Sequence, residues 1–360
     1  MTVASLRRIA RGWRWRPRGG PLLPRRRWPW RADSSLLVVA ALALLLAVVD
    51  PGLDWQRPRP ALLVTLDITQ SMLVADVPQA DEGAAGMAGA GASALLLRSR
   101  LQAAHQALHQ ALARLPCGSR VGLAVFTEYR SYLLLAPLEV CANLAELRST
   151  VAVMDNRMAW TGNSEVAKGL HSAWDIAGKL PERPALVFIT DGHEAPPLNP
   201  KHRPRFDDKP GERAGLLVGV GGQKPQPIPK VDAAGRPLGE WAADEVLQTD
   251  PRSQGRGASV GREAMADDGD AAQLSAAALG ATPGSEHLSA LREVYLQRLA
   301  DEQGLGYHRL IDSNGLLQAL RAPALARPVA VRLSLAPALV VLALLALLLR
   351  LWLRTPPPRP

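Results

Sequence analysis

The sequence of 360 residues predicts an α/β fold: a doubly wound, mostly parallel β-sheet with one antiparallel hairpin strand, flanked by two transmembrane helices. Three observations predict it. Strand-like and helix-like segments alternate between residues 60 and 322, which is typical of parallel sheets covered by helices. Two of the strand segments are apolar almost throughout, as expected of strands buried on both faces. Long uncharged apolar runs stand near both ends of the chain.

The first apolar run, LLVVAALALLLAVV, lies between residues 36 and 49. It is short for a membrane span, which needs roughly 17–25 residues, and its length also fits the apolar region of a signal peptide. No small-x-small cleavage site follows it, which favours a retained anchor over residues 36–53. Trp28, Trp30 and Trp55 suit the two membrane interfaces.

The second run, LSLAPALVVLALLALLL, begins at Leu333 and just reaches spanning length, so that a second transmembrane helix is predicted over residues 333–353. The alternative is a soluble protein in which both runs are buried core helices. That alternative leaves the arginines beside the two runs unexplained.

Positive charge is concentrated next to the apolar runs. The net charge is +9, and ten arginines fall within the first 31 residues, before any acidic residue. Arginine and lysine beside a span remain on the cytoplasmic side. The sequence therefore predicts cytoplasmic tails at residues 1–35 and 354–360 and a periplasmic domain at 60–322, in a two-pass inner-membrane protein. The arginines then mark topology and contact lipid headgroups, and no nucleic-acid partner is expected.

The predicted elements of the domain follow one another in a regular order. ALLVTLDI is a buried strand, and after a glycine- and alanine-rich excursion a helix is predicted over about residues 95–115. A hairpin follows, then a short helix near residues 144–153 and a helix that starts near Ser164. The later strands are PALVFITD, GLLVGVGG and YHRLI, and the last precedes a helix in SNGLLQALRA.

The interval at about residues 223–286 breaks this alternation. It is rich in proline, glycine and charge, and we interpret it as an insertion in the domain. Order is expected around PIPK and Trp241, and disorder near Gly255–Ala272.

Two cysteines, Cys117 and Cys141, flank the predicted hairpin of strands Arg120–Thr127 and Ser131–Ala136. Opposed residues in an antiparallel hairpin have a constant sum of positions, so that a turn centred on Tyr129 places the cysteines opposite each other. Such a pair is close enough to bridge, and an oxidising compartment then predicts a disulfide. The alternative is two unrelated buried thiols.

Oxygen-bearing side chains gather where two predicted strands end. Asp67, Thr69 and Ser71 alternate after the first strand, and Asp191 closes a later one. Ligands of open α/β sheets bind at this edge, and hard divalent cations take carboxylate, hydroxyl and water oxygens. The pattern predicts a site for Mg²⁺, Mn²⁺ or Ca²⁺ with one coordination position left for an outside ligand. In the plainer alternative, each aspartate only caps the helix that follows it.

These motifs resemble the metal-ion-dependent adhesion site of von Willebrand factor type A (VWA) domains. The usual first motif of that family is Asp-x-Ser-x-Ser, and Thr69 keeps the hydroxyl of the middle serine. The family also uses a threonine at the start of a helix, and GNSEVAKGL places Ser164 there, with Thr161 as the fallback. The resemblance covers roughly residues 60–222 and 290–322.

The blocks DITQSM, LPCGSRVGL, FTEYR, RMAWTGNSE, TDGHEAPPL and PIPK resemble the MxaL-like, membrane-anchored proteins encoded beside methanol dehydrogenase genes. Those proteins are implicated in assembling a periplasmic quinoprotein and loading its calcium. The resemblance implies that a partner protein offers a carboxylate to the metal, and that binding rather than catalysis is the function. It also implies a role in the assembly or maturation of a periplasmic complex or enzyme, accompanied by a MoxR-type AAA+ ATPase.

Several other titratable residues have plainer interpretations. His193 and Glu194 follow Asp191 and are predicted on the rim of the site, where His193 either contacts a partner or is simply exposed. His105 and His109 have the i,i+4 spacing of metal ligands, but no third ligand lies near them in the sequence. A solvated helix flank is the favoured interpretation of that pair.

An enzyme is the rival class of protein. A haloacid-dehalogenase-type phosphotransferase also starts with a strand that ends in aspartate, but it needs a second aspartate where this chain has Thr69. The sequence contains no nucleophile elbow, His-Glu-x-x-His or phosphate-binding loop motif. We therefore expect no enzymatic activity. The third alternative is a structural membrane protein with a vestigial metal site.

Overall fold

The structure is a computed structural model that describes residues 30–79, 97–159, 163–198, 204–205, 211–246, 264–265 and 284–354. The chain divides into two compact units, one formed by the residues up to Asp54 and from Arg332 onward, the other by Trp55–Val331. The predicted tail at 1–35, the glycine-rich excursion and Gly255–Ala272 fall almost entirely outside the described residues, and the fallback ligand Thr161 falls wholly outside them.

The described elements alternate between strands and helices for most of the chain. The helices are α1 (Trp30–Val49), α2 (Arg100–Arg114), α3 (Leu144–Val153), α4 (Val166–Lys179), α5 (Glu293–Gln303), α6 (Ser313–Leu320) and α7 (Ala336–Arg354). The strands are β1 (Gly52–Asp67), β2 (Ala75–Pro78), β3 (Leu97–Ser99), β4 (Arg120–Thr127), β5 (Arg130–Glu139), β6 (Ala185–Thr190), β7 (Pro204–Arg205), β8 (Gly215–Gly219), β9 (Gln226–Pro227), β10 (Pro229–Val231), β11 (Pro237–Glu240), β12 (Ala264–Met265), β13 (Leu288–Ser289), β14 (Gly306–Arg309) and β15 (Ala326–Ser334).

A seven-stranded sheet in the order β14-β8-β6-β1-β4-β5, with β15 also paired to β1, forms the centre of the larger unit. The pairs from β14 to β4 are parallel, and β5 is antiparallel to β4, which confirms the predicted mixed α/β fold with a mostly parallel sheet. Strand β1 is central, and its two parallel neighbours follow it at different points of the chain. The carboxyl ends of β1, β4 and β6 therefore share one edge, where ligands of such sheets bind.

Both faces of the sheet are covered by helices, because successive side chains of a strand point to opposite faces. Leu62, Val64 and Leu66 of β1 belong to one apolar cluster with residues of α2, α3 and α6. Leu63 belongs to a second cluster with residues of α4 and α5. The nearly continuous apolar sequence of β1 thus follows from burial on both sides.

Helix α2 begins five residues later than the sequence predicts. Ser99 is its N-cap: the Ser99 hydroxyl accepts a hydrogen bond from the backbone of Gln102, and the Gln102 side chain accepts one from the backbone of Ser99. This capping box fixes the first turn of the helix. The residues before it form β3 instead, paired with β2. Arg100 consequently becomes the first residue of α2.

A disulfide joins Cys117 and Cys141, with the two Cα atoms 5.3 Å apart, and confirms the predicted bridge. The turn of the hairpin differs from the prediction. Thr127 pairs with Arg130, so the turn is formed by Glu128 and Tyr129, and Glu128 adopts a positive φ of 59°. Two register shifts near Leu123 then move the pairing by two positions before the strands reach the cysteines. The positions of paired residues therefore sum to one less than the cysteines require beside the turn, and to one more at Arg120 and Glu139, so that the constant-sum argument holds only to within one residue.

The smaller unit contains helices α1 and α7. Of the helices that the structure describes, only α7 is long and apolar enough to cross a membrane, over Ala336–Leu353; the apolar part of α1, Ser34–Val49, is shorter. The two helices pack through small side chains, and a buried cluster joins Ala40 and Ala43 to Ala343 and Ala346. Their large apolar side chains are mostly exposed, among them Val48, Leu45 and Trp352.

The disulfide closes a loop with a sequence separation of 24 residues. We expect the double variant Cys117→Ser/Cys141→Ser to lose about 3 kcal/mol of stability, because the bridge restricts the unfolded chain. Chemical unfolding of the full-length protein in detergent, followed by tryptophan fluorescence, measures this loss. A reductant should destabilise the wild type equally and leave the double variant unchanged. Equal unfolding midpoints for oxidised wild type and double variant would contradict the prediction.

Candidate functional site

The ends of β1 and β6 bring two carboxylates to the same edge of the sheet. The two strands are parallel neighbours, with Leu66 opposite Ile189. Asp67 comes directly after Leu66, and Asp191 follows Ile189 and Thr190, so the two aspartates lie near each other. Asp67 is fully buried. One of its oxygens, Oδ1, accepts hydrogen bonds from the backbone N–H and the hydroxyl of Thr69, at 2.9 and 2.7 Å. The other, Oδ2, accepts from the hydroxyl of Thr190 at 2.7 Å.

The alternating hydroxyls after β1 form one cluster. Thr69 Oγ1 and Ser71 Oγ are 3.1 Å apart, and the loop between them turns as a short 3₁₀ helix that begins at Gln70. Both side chains are buried. Asp67, Thr69 and Ser71 therefore present their oxygens to one small volume, as their period-two spacing in the sequence suggests.

Asp191 is the second buried carboxylate, and it already has a cationic partner. Its Oδ2 accepts hydrogen bonds from Arg100 Nη1 at 2.5 Å and from the Ser289 hydroxyl at 2.9 Å. Its Oδ1 accepts from the backbone N–H of His193 at 2.9 Å. Burial opposes ionisation of Asp191, but the positive charge of Arg100, helped by these hydrogen bonds, lowers its pKa below the usual value.

Arg100 belongs to the site, although no sequence motif indicates it. Its side chain is fully buried and forms a second ion pair with Asp76, whose Oδ2 lies 2.6 Å from Arg100 Nη2. It also donates to the carbonyls of Ser71 and Ser289. Gly221, with φ +128°, leaves room for it, since a Cβ there would lie 2.6 Å from Arg100 Nε. Nothing in the sequence distinguishes this arginine, because its partners come from distant segments.

Asp67 has no such cation in contact, and its pKa differs accordingly. Burial, followed by the repulsion of Asp191, raises the pKa of Asp67 to about 7, against the effect of hydrogen bonds from Thr190 and Thr69. The two neighbouring aspartates therefore have opposite shifts. Arg100 stabilises the charge of Asp191, while Asp67 remains the carboxylate that lacks a counter-ion.

Ser164 reaches the same region from the start of the segment that leads into α4. Its backbone is held by Ala195, with hydrogen bonds of 2.8 and 2.7 Å in the two directions. Its side chain is 1% exposed, and its hydroxyl has no hydrogen-bond partner among the residues that the structure describes. A buried hydroxyl without a partner is costly, and a ligand in the adjoining pocket would satisfy it.

A pocket of about 110 Å³ opens above this loop. Thr69, Ser71 and Ser164 line it together with His193, and the insertion contributes further residues to the lining. The lining residues from the insertion are Ile228, Trp241, Glu245, Val246 and Glu286. We call residues 67–71 the ligand loop and the insertion residues that line the pocket the cover.

Gln70, the residue between Thr69 and Ser71, connects the ligand loop to this cover. Its Oε1 accepts hydrogen bonds from Trp241 Nε1 at 2.8 Å and from the backbone of Val231 at 3.3 Å. The ammonium group of Lys230 lies 4.7 Å from the centre of the Trp241 ring and 2.5 Å from Glu245. The order expected around PIPK and Trp241 is therefore present, as a β10–β11 hairpin.

Glu194 was predicted on the rim of the site next to His193, but it does not belong to the pocket lining. It is buried, and its carboxylate accepts hydrogen bonds from the backbone N–H groups of Val166 and Ala167, both at 3.0 Å, and from the Tyr295 hydroxyl at 2.6 Å. It caps the start of α4, although burial raises its pKa to about 8. Glu194 thus supports the helix that follows Ser164.

The three histidines with sequence-based predictions, His193, His105 and His109, have separate environments. His193 lines the pocket and is 4% exposed, and burial lowers its pKa to about 4, so that the ring is neutral at pH 7. His105 bonds to the carbonyl of Met154 at 2.8 Å, and burial lowers its pKa. His109 lies beside Arg148, and burial lowers its pKa as well. His105 and His109 do not belong to the strand-end pocket.

Only one group of three potential ligands from His, Cys, Asp and Glu has its atoms mutually within 4.8 Å in the described parts of the chain. It consists of Cys117, Glu139 and Cys141. Because the two sulfurs are bonded to each other, this group does not offer thiolates to a metal. Asp67 and Asp191 would have to be joined by hydroxyl and water ligands instead.

Sequence comparison adds no relative to this picture. No protein-family model matches the chain, and no curated protein matches it significantly.

The burial of Arg100 predicts a large loss of stability in Arg100→Leu. The substitution leaves Asp76 and Asp191 without their cation, and removing one partner of a buried pair typically costs about 3–5 kcal/mol. Arg120→Leu is the matched control, because Arg120 pairs with Glu182 at 2.5 Å but both side chains are about one third exposed. That control should lose at most about 1 kcal/mol. Unfolding curves of the two full-length variants decide the matter, and equal losses would contradict the burial argument.

Proposed function

We propose that this chain is a membrane-anchored protein that binds a partner protein through a divalent cation at the carboxyl edge of its sheet, in the manner of VWA proteins. One observation carries the proposal. Two buried carboxylates, Asp67 and Asp191, lie at the ends of neighbouring parallel strands at one sheet edge, and the hydroxyls of Thr69, Ser71 and Ser164 line one pocket. Carboxylates and hydroxyls are the ligands that hard divalent cations prefer.

Two features of the site fit a cation. The unpartnered Ser164 hydroxyl is a free oxygen ligand at the pocket. The raised pKa of Asp67 indicates a carboxylate whose charge lacks compensation in the ion-free protein. Asp67, Thr69, Ser71 and Ser164 would hold Mg²⁺, Mn²⁺ or Ca²⁺, with Asp191 beside them. A bound ion would supply a positive centre able to receive a carboxylate from a partner.

Arg100 limits the negative charge of the proposed site. Its guanidinium compensates Asp191 and Asp76, so that a cation meets one uncompensated carboxylate, Asp67, and several neutral oxygens. Cation affinity rises with the number of charged ligands. A site of this composition suits a reversibly bound ion that needs a further carboxylate to complete its shell.

The proposed location is the inner membrane, with two spans, a periplasmic domain and cytoplasmic termini. The apolar α7, the shorter apolar part of α1 and the packing of the two helices through small alanines support it. The disulfide also supports it, because such bonds persist in oxidising compartments such as the periplasm.

The class of partner follows from the resemblance to MxaL-like VWA proteins. On that ground we propose assembly or maturation of a periplasmic complex or enzyme, of which a quinoprotein dehydrogenase is the leading example, with a MoxR-type AAA+ ATPase acting in the same system. Thr69 stands beside Asp67 where a phosphotransferase would need a second aspartate as acid and base, which supports binding over phosphoryl transfer.

The metal site predicts a graded series of variants. Calorimetry on the full-length protein in detergent at pH 8, above the pKa of Asp67, should detect binding of Mg²⁺, Mn²⁺ or Ca²⁺ to the wild type. Asp67→Ala should abolish binding, because it removes the uncompensated charge, and Ser164→Ala should weaken it roughly tenfold, about 1.4 kcal/mol. His105→Ala, distant from the pocket, is the control and should bind normally. A folded wild type that binds none of the three ions would leave the site vestigial and favour the structural role.

Topology is tested independently of the metal. A periplasm-dependent phosphatase fused after Gly222 should be active, whereas the same reporter fused after Arg354 should be inactive, because arginine-rich flanks remain cytoplasmic. The opposite pattern would place the domain in the cytoplasm and contradict the proposed location.

A further inference from the structure

Glu286 is a buried carboxylate without a hydrogen-bond partner among the described residues. It is 1% exposed, and neither of its oxygens accepts a hydrogen bond from any group in the described parts of the chain. Arg292 interacts with it electrostatically but donates no hydrogen bond to it. A buried carboxylate in this condition is costly for the fold unless a cation or a donor reaches it.

The backbone holds Glu286 firmly in this position. The residues after it pair with β9, where Leu288 lies opposite Pro227, and the carbonyl of His287 accepts a hydrogen bond from the backbone of Ile228 at 3.2 Å. Two residues further on, the Ser289 hydroxyl lies 2.6 Å from Arg100. The segment that carries Glu286 is therefore fixed to the same arginine that holds Asp191.

Glu286 lines the pocket that also contains the hydroxyl ligands proposed above. Thr69, Ser71 and Ser164 lie on one wall, and Glu286 and His193 belong to the same lining. The hydroxyl of Ser164 and Nδ1 of His193 are also buried without partners. Buried polar atoms of three side chains that line one pocket therefore have no hydrogen-bond partner among the described residues, and a cation in that pocket would satisfy the carboxylate and the hydroxyl together.

The geometry points to Glu286 as the chain's own carboxylate ligand, which would join the hydroxyls of this pocket in holding the divalent cation. This inference rests on the proposed metal site and changes how that site works. The carboxylate expected from a partner is replaced in the unbound protein by one from the end of the insertion. A partner carboxylate must then displace Glu286 before it reaches the metal.

The carboxylates of Glu286 and the two aspartates do not lie mutually within 4.8 Å. Glu286 would therefore have to change its side-chain conformation to share a cation with Asp67. Glutamate has the side-chain freedom for this movement, whereas the backbone of its segment stays paired with β9.

The test uses full-length protein in detergent and Mn²⁺ as the probe. Titration followed by water-proton relaxation gives both the affinity for Mn²⁺ and the number of exchangeable waters on the bound ion. In Glu286→Ala we expect a roughly tenfold weaker affinity and about one additional water per ion, because the lost ligand is replaced by solvent. If Glu286→Ala binds Mn²⁺ with the same number of exchangeable waters as the wild type, the inference is wrong. The same unchanged number is expected if Glu286 instead pairs with a cationic side chain of a partner protein.

A second measurement protects the test against a folding defect. Glu286→Gln removes the uncompensated charge but keeps the side-chain size, so its melting temperature without metal should equal or exceed that of the wild type. Its gain in melting temperature on adding Mn²⁺ should be smaller than the gain of the wild type. A Glu286→Gln protein that gains as much as the wild type contradicts a ligand role.

Glu182 provides the matched control. It does not belong to the pocket lining, and its side chain is 31% exposed and pairs with Arg120. Glu182→Ala should keep the Mn²⁺ affinity within about threefold of the wild type and leave the water count unchanged. A wild type that binds no Mn²⁺, with Asp67→Ala behaving identically, refutes the proposed function itself, whereas normal Mn²⁺ binding by wild type and Glu286→Ala alike refutes only the ligand role of Glu286.

Discussion

The buried guanidinium of Arg100 is the interaction on which the arrangement at the sheet edge depends. It joins four segments that come from three distant parts of the chain: the loop after β1 through the Ser71 carbonyl and the adjoining β2 through Asp76, the end of β6 through Asp191, and β13 through Ser289. Arg100 is also the first residue of α2, where the helix dipole disfavours a positive charge. The Arg100 guanidinium is stabilised there by the carboxylates of Asp76 and Asp191. The same two ion pairs fix β2 and the end of β6 next to α2.

Much of the fold was predictable from the sequence, because its signals are local. Strand β4 and helix α3 have the predicted bounds, since apolar periodicity and their flanking residues determine them. The adjacency of Asp67 and Asp191 followed from a general property of parallel sheets, in which strand ends meet at one edge. The disulfide followed from hairpin pairing, although two bulges that no sequence pattern announces were needed to bring the cysteines together.

The remaining parts of the site were not predictable, because their partners are far apart in the chain. Arg100 resembles any arginine in the first turn of a helix until Asp76 and Asp191 are brought to it by the sheet. Glu286 lies beyond a long stretch without periodicity, so nothing in its neighbours indicated burial. Glu194 was predicted on the rim of the site because it follows a strand-end aspartate. It is instead buried against the start of α4, where it accepts hydrogen bonds from the N–H groups of Val166 and Ala167.

The attachment of the cover to Gln70 has a thermodynamic consequence. Gln70 lies between two proposed ligands, and its side chain is the acceptor for both Trp241 and Val231 of the hairpin above. If the cover moves away, Gln70 loses both of these hydrogen bonds, which help to fix the conformation of the ligand loop. Conversely, a change in the conformation of the ligand loop weakens the hydrogen bonds that attach the cover. By linkage, whatever free energy an ion contributes to closure, closure contributes equally to retention of the ion. Ion loss and partner access are in that case two descriptions of a single equilibrium.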